Sequence, residues 1–191
     1  MIYKSQIVNM GMSDKQVVLR PIDVVLLLKR ITPAGYKMNG KQLAESLGIS
    51  PAEVSISMER NRLARLVDAD KSRVNVLSLK DFIVFGIRYC FPVQPGALVR
   101  GIPTASSANP VSKTISSNGE KYVWSDPTGT VLGQGIVPLY GNAVFAAKKD
   151  ADMHALLSIV DSFRIGKSRE IKAASMELDK YLDQYARLEQ Q

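Results

Sequence analysis

The sequence predicts an α+β chain that is mostly helical, on three observations. Asn39 with Gln42, and Ser50 with Glu53, each set a short polar side chain three residues ahead of a Gln or Glu, the spacing of an N-cap and its N3 partner. Two helix starts are therefore marked close together. Beyond Phe91 the texture changes to Pro, Gly, Ser and Thr, and then the runs Lys121-Tyr122-Val123-Trp124 and Val131-Leu132 flank Asp126-Pro127-Thr128-Gly129, a turn sequence suited to a β-hairpin. From Lys167 onward Ile171, Ala174, Leu178, Tyr181, Tyr185 and Leu188 recur in alternating steps of three and four, a near-heptad seam on one long helix.

In chain order, residues 1–20 read as an N-terminal arm in which Ile2, Ile7, Val8 and Met10 suit either a strand or a short helix. Pro21 opens a helix through Ile31, rich in Val and Leu, that Pro33-Ala34-Gly35 ends. The two capped helices follow. Pro51 falls at N1 of the second, where its missing N–H costs nothing, and Gly48 suits the left-handed residue that ends the first. Leu43, Ala44 and Leu47 form one apolar stripe, Val54 and Met58 another, so the pair can pack at a steep angle. Leu66-Val67 and Val74-Asn75-Val76, around the polar tip Asp68 to Arg73, read as a two-stranded wing. Together these make a winged helix-turn-helix core over residues 21–90. Ser78 with Asp81 marks a further helix to about Cys90, apolar on most sides and so expected to be buried. Residues 91–191 form a mixed C-terminal region for partner binding or dimerisation: an ordered but irregular Pro/Gly segment, the hairpin, and two helices. Asp150 or Asp152 starts the first of these, and Gly166 breaks it from the second.

The run LAESLGISPAEVS at 43–55, with the wing sequence after it, resembles the winged-helix transcription regulators, the MarR-type and related groups. The likeness covers about residues 20–90 and implies a second helix laid in the DNA major groove, with the wing on the backbone. At 100° per residue Ala52, Ser55, Ile56, Glu59, Arg60 and Leu63 point away from the Val54/Met58 stripe. Ser55 and Arg60 suit bases or phosphates, and Ile56 a thymine methyl. Lys71 and Arg73 at the wing tip suit the backbone, while Lys41 and Ser50 lie at helix starts that approach phosphate. The expected DNA-binding set is Lys41, Ser50, Ala52, Ser55, Ile56, Arg60, Lys71 and Arg73. Ile56 and Leu63 are unusually apolar for such a face and equally suit a protein contact, and Asn61, on the inward side, needs a buried partner.

Charge agrees in sign with a phosphate-binding module. The 191 residues carry a net +7. Residues 1–90 hold 14 Lys and Arg against 8 Asp and Glu, residues 91–149 hold 5 against 2, and residues 150–191 hold 6 against 8, so the basic excess lies with the helix-turn-helix. Cys90 is the only cysteine, which removes any intrachain disulfide and any cysteine zinc cluster. It reads as a buried small hydrophobe, and His154, the only histidine, as a satisfied helix residue. Arg164, Lys167 and Arg169 read as a solvated basic cluster at a helix start. No metal-ligand spacing, Walker pattern, HExxH or GxSxG occurs, so no catalytic residue, metal or cofactor is expected. No apolar run approaches the ~20 residues that a membrane span needs, and a cytoplasmic protein is expected.

The function expected is a sequence-specific transcriptional regulator bound to double-stranded DNA as a homodimer, acting as a local repressor or autoregulator. The alternative is a protein-interaction adaptor, or an antitoxin-like protein, built on the same winged helix. The seam of Ile171, Leu178, Tyr181 and Tyr185 packs either on the protein's own body or on a second copy.

Overall fold

The structure, a computed structural model, describes residues 17–115 and 119–190. Most of the predicted N-terminal arm, with Ile2, Ile7, Val8 and Met10, lies outside the described residues. With 57% of the described residues helical beside a small three-stranded sheet, the protein is α+β and mostly helical.

Helix α1 (Pro21–Ile31) is the axis of the molecule. Val24, Leu26, Leu27 and Leu28 are wholly buried, and Val25 nearly so, because α1 is covered from opposite sides. On one side lie α2 (Gly40–Leu47) and α3 (Pro51–Leu63); on the other lie α8 (Ala151–Ile165) and α9 (Ser168–Leu188). A continuous run of Val and Leu reads as an amphipathic helix only if one face is polar. Here none needs to be, since no face meets water.

Gly48 ends α2 in the left-handed conformation, at φ 64°, and its N–H reaches the Ala44 and Glu45 carbonyls. After α3 the chain turns back through one isolated antiparallel bridge, Val67 to Val74, so the wing is a tight turn rather than a two-stranded ribbon. Arg30 on α1 fixes this turn by donating to the Ser72 carbonyl at 2.5 Å and the Met38 carbonyl at 3.2 Å. Next comes α4 (Val76–Asp81), which runs through a π-turn at Phe82–Gly86 into α5 (Ile87–Cys90). Its cap is Asn75, whose side chain accepts from the Ser78 N–H at 3.2 Å, so the helix starts earlier than the Ser78 spacing suggested. Only Leu79, Ile83 and Ile87 are buried along it; Leu77, Phe85 and Tyr89 are exposed. The expectation of a helix buried on most sides is thus corrected. Cys90 is also exposed, not a core residue, because it lies at the helix end with one flank open.

The β structure differs from the predicted hairpin. β2 (Tyr122–Ser125) and β3 (Val131–Gly135) both pair antiparallel with β1 (Leu98–Pro103), and with each other only in parallel, at Tyr122–Gln134 and Val123–Gly135. The Asp126–Gly129 turn does form, closed by the Gly129 N–H to the Asp126 carbonyl at 3.0 Å. It does not fold β2 onto β3, because β1, from a segment read as irregular, curls between them with Gly101 facing both Ser125 and Val131. A Cβ on Gly101 would collide with the Trp124 carbonyl, and one on Gly129 with the Gly101 backbone. Two glycines therefore permit the crossing.

A buried carboxylate ties this sheet to α8. Asp161 accepts from Trp124 Nε1 at 2.7 Å and from the Thr104 hydroxyl at 2.8 Å, and pairs with Arg164 at 2.7 Å. Burial pushes its carboxyl above the usual carboxylate range, against the pull of Arg164, Thr104 and Trp124. Arg164 also donates to the carbonyls of Phe91 and Val137. It is buried, not part of a solvated cluster, because it satisfies backbone that no strand pairs. His154 Nε2 lies 2.8 Å from the Pro103 carbonyl and its ring packs on Trp124.

On α8 the N-cap is Asp150, whose Oδ1 accepts from the Asp152 and Met153 amides while Oδ2 meets Lys29 of α1 at 2.5 Å. The α9 seam packs inward. Leu178 is wholly buried, Tyr185 is 2% exposed, and Ile171 and Tyr181 are half-buried against the same core. Tyr185 accepts the Val74 N–H at 2.9 Å, and its ring meets Tyr36 edge-on. Of the two placements the seam allowed, Leu178 and Tyr185 take the protein's own body, with Ile171 and Tyr181 half-buried against it. One cluster of buried apolar side chains runs from Ile22 to Tyr185, and the boundary at residue 90 therefore divides the chain but not the core.

Candidate nucleic-acid interface

The surface presented by α2, α3 and the 68–73 turn is built on their caps. Asn39 Oδ1 accepts from the Gln42 N–H at 3.0 Å, and Gln42 Oε1 accepts from the Asn39 N–H at 2.9 Å, so the first reciprocal cap is complete. Ser50 Oγ accepts from the Glu53 N–H at 3.1 Å, but Glu53 does not reach back. Its carboxylate instead takes Arg60 Nη2 at 2.8 Å. Lys41, in the first turn of α2, and Ser50 are both exposed.

Asp23 decides how α3 sits. It is wholly buried in α1 and gathers side-chain donors from two residues: the Ser57 hydroxyl at 2.7 Å, Arg60 Nη2 at 2.6 Å on the same oxygen, and Arg60 Nε at 2.8 Å on the other. That second oxygen also caps α1, taking the Arg20 N–H at 2.7 Å. Asn61 adds a bond from Nδ2 to the Asp23 carbonyl at 3.1 Å, the buried partner its position required. Arg60 is thus not free to read bases. Its side chain is only 12% exposed, and the hydrogen bonds it donates to Asp23 raise its already high pKa further. The helical wheel set Arg60 on the outward face, but its long side chain folds inward to neutralise a buried carboxylate. A sequence signal existed: Asp23 stands directly before five aliphatic residues, Val24 to Leu28, and needed a cation.

The rest of the outward face stands as the wheel placed it. Ala52 and Ser55 are exposed, Ile56 is 53% exposed and Leu63 is 49% exposed. Ser55 Oγ donates to the Pro51 carbonyl at 3.2 Å, a bond easily exchanged for an outside partner. Glu59 sits between Arg62 at 2.6 Å and Lys71 at 2.7 Å, and these two cations hold its carboxyl down to about 2 from an ordinary 4.5. The carboxylate that would repel phosphate is therefore already paired. Lys71, at φ 64°, crowns the turn, while the exposed Arg73 pairs at 2.9 Å with Glu189, whose side chain is only 16% exposed. The Lys71–Glu59 pair is exposed on both sides, and such a pair contributes little to stability.

No family model, curated protein sequence or solved structure matches the chain. Among the described residues no group of His, Cys, Asp and Glu is placed to hold a metal, and no helix is long and apolar enough to cross a membrane. The structure brings Ser50, Ala52, Ser55 and Ile56 onto one exposed helical face, with Lys41 at the neighbouring helix start and Lys71 across from Glu59. It removes Arg60 from that set. Asp23 and Ser57, which sequence reasoning passed over, set the angle of the face.

Proposed function

We propose that residues 21–90 form a winged helix-turn-helix and that the protein is a sequence-specific DNA-binding regulator, cytoplasmic and dimeric, acting as a local repressor or autoregulator. The observation that carries this reading is the lock on α3. A buried carboxylate holds Ser57 and Arg60, and its backbone carbonyl holds Asn61, so the opposite face, Ala52, Ser55, Ile56 and Glu59, projects rigidly from the molecule. Preorganised projection of a helix start is what entry into a major groove requires. Around it stand Lys41, Lys71 and Arg73, with their charges exposed or held only by surface pairs. As a dimer the protein would pair through a surface other than the α9 seam. The exposed Ile56 and Leu63 favour a second reading, a protein-binding adaptor or antitoxin-like module on the same scaffold.

The test is fluorescence-anisotropy binding to duplexes tiled across the DNA upstream of its own coding sequence and to scrambled duplexes, at two salt concentrations, with Ser55→Glu beside the wild type. Ser55 is exposed, so the variant keeps its fold. Specific binding that steepens at low salt and falls at least about ten-fold in Ser55→Glu is expected. Binding that is weak, equal on all duplexes and indifferent to Ser55→Glu would sink the regulator in favour of the adaptor.

A further inference from the structure

The helix corner is not bare on its far side. Asn142, just ahead of α7 (Ala143–Lys149), donates from Nδ2 to the Gly48 carbonyl at 2.7 Å, and a Cβ built on Gly48 would touch Asn142 and the Phe145 ring at 3.3 Å. The segment Leu139–Lys149 is thus docked against the turn that delivers α3. Lys149 holds its ammonium 4.0 Å from the centre of the Phe145 ring, which keeps the charge beside that turn without neutralising it. Lys148 is spent on Asp126 and Thr128, but Lys149 pairs with no carboxylate among the described residues. The stretch 139–149 has no acidic residue. Next to it, Tyr140 lines an open groove of about 440 Å³ with Arg20, Pro21, Ile22, Ile49, Ser50 and Glu53, where the starts of α1 and α3 converge. Glu53, the groove's one carboxylate, is engaged by Arg60.

We propose that this flank is a second DNA contact, in which Arg20, Tyr140 and Lys149 grip backbone phosphates beside the groove that α3 enters. The proposal rests on the winged-helix reading above and extends the footprint to residues of the C-terminal half. Its chemistry is that of phosphate positioning: the Arg20 guanidinium and the Tyr140 phenol at the rim of the groove that Ser50 also lines, and the Lys149 ammonium outside it, over the Phe145 ring that abuts Gly48. Such contacts carry no sequence information. They add affinity, salt dependence and length to the bound duplex.

The experiment compares Arg20→Ala, Lys149→Ala and, as an exposed control on the outer side of α9, Lys172→Ala, with Ser55→Glu alongside. Each is titrated from low to high salt on the tightest upstream duplex and on the same duplex trimmed at both ends. Arg20→Ala and Lys149→Ala are expected to lose about five-fold on the long duplex, to flatten the log–log salt slope by about 0.9 each, and to match the wild type on the trimmed one, with Lys172→Ala unchanged. If Ser55→Glu abolishes specific binding while Arg20→Ala and Lys149→Ala behave like Lys172→Ala on both duplexes, the flank is no contact and the proposal alone fails. If all four variants bind like the wild type, the recognition face and the flank fail together.

Discussion

Asp23 shows how a single residue can govern a surface it never reaches. Buried in α1 with no exposed atom, it is acceptable only because Ser57, Arg60 and the Arg20 amide supply donors. Removing one partner leaves a charge in the core, which costs far more than the pair contributes, whereas replacing both with apolar groups of similar size is often tolerated. Arg60→Ala is therefore expected to lower unfolding stability by about 3–5 kcal/mol in urea denaturation, and Asp23→Leu combined with Arg60→Met to cost clearly less than that. Equal losses in the single and double variants would show that the pair is not the source. DNA affinity alone cannot test Arg60, since its loss tilts α3. The wheel placed Arg60 with Ser55 and Ile56 on the outward face, whereas its side chain folds inward onto Asp23.

At the scale of elements, the parts that could be read from sequence were those with local causes. The N-caps at Asn39, Ser50 and Asp150, the left-handed Gly48 and the break at Gly166 each depend on atoms a few residues apart. Those that could not be read depend on distant chain. β1 forms because two other strands close on it, and α7 starts at Asn142 with no side-chain cap, held instead by the Gly48 carbonyl. The seam of α9 was visible, but its partner was not: a stripe of Leu178 and Tyr185 states that something covers it, and Val74, Tyr36 and α1 turn out to do so. Leu178→Ala should therefore destabilise the protomer by about 2–5 kcal/mol, as a buried leucine does. Sedimentation of the folded variant should give the wild-type mass. A drop in mass with stability intact would instead return the seam to a dimer interface.

For the whole molecule, the consequence of a helix covered on both sides is that neither half is complete alone. The α2–α3 corner needs α1, and α1 leaves Val24 to Leu28 solvated unless α8 and α9 are present. Lys29, buried to 5% exposure, finds its counter-charge only on Asp150 of the C-terminal half, and Gly48 meets Asn142 from the same half. Placing the exposed face of α3 and its support in a single core couples them: whatever loosens residues 91–190 loosens the angle of α3. Trp124, the one tryptophan, reports on the sheet and α8, while far-UV circular dichroism is dominated by the helices on both sides of α1. Urea unfolding followed by Trp124 fluorescence and by circular dichroism should therefore give coincident transitions with one midpoint. Lys29→Met, which leaves Asp150 unpaired at the junction, should shift both midpoints down together. Two separated midpoints would mean that the halves unfold independently, and the support for α3 would then have to lie within residues 21–90.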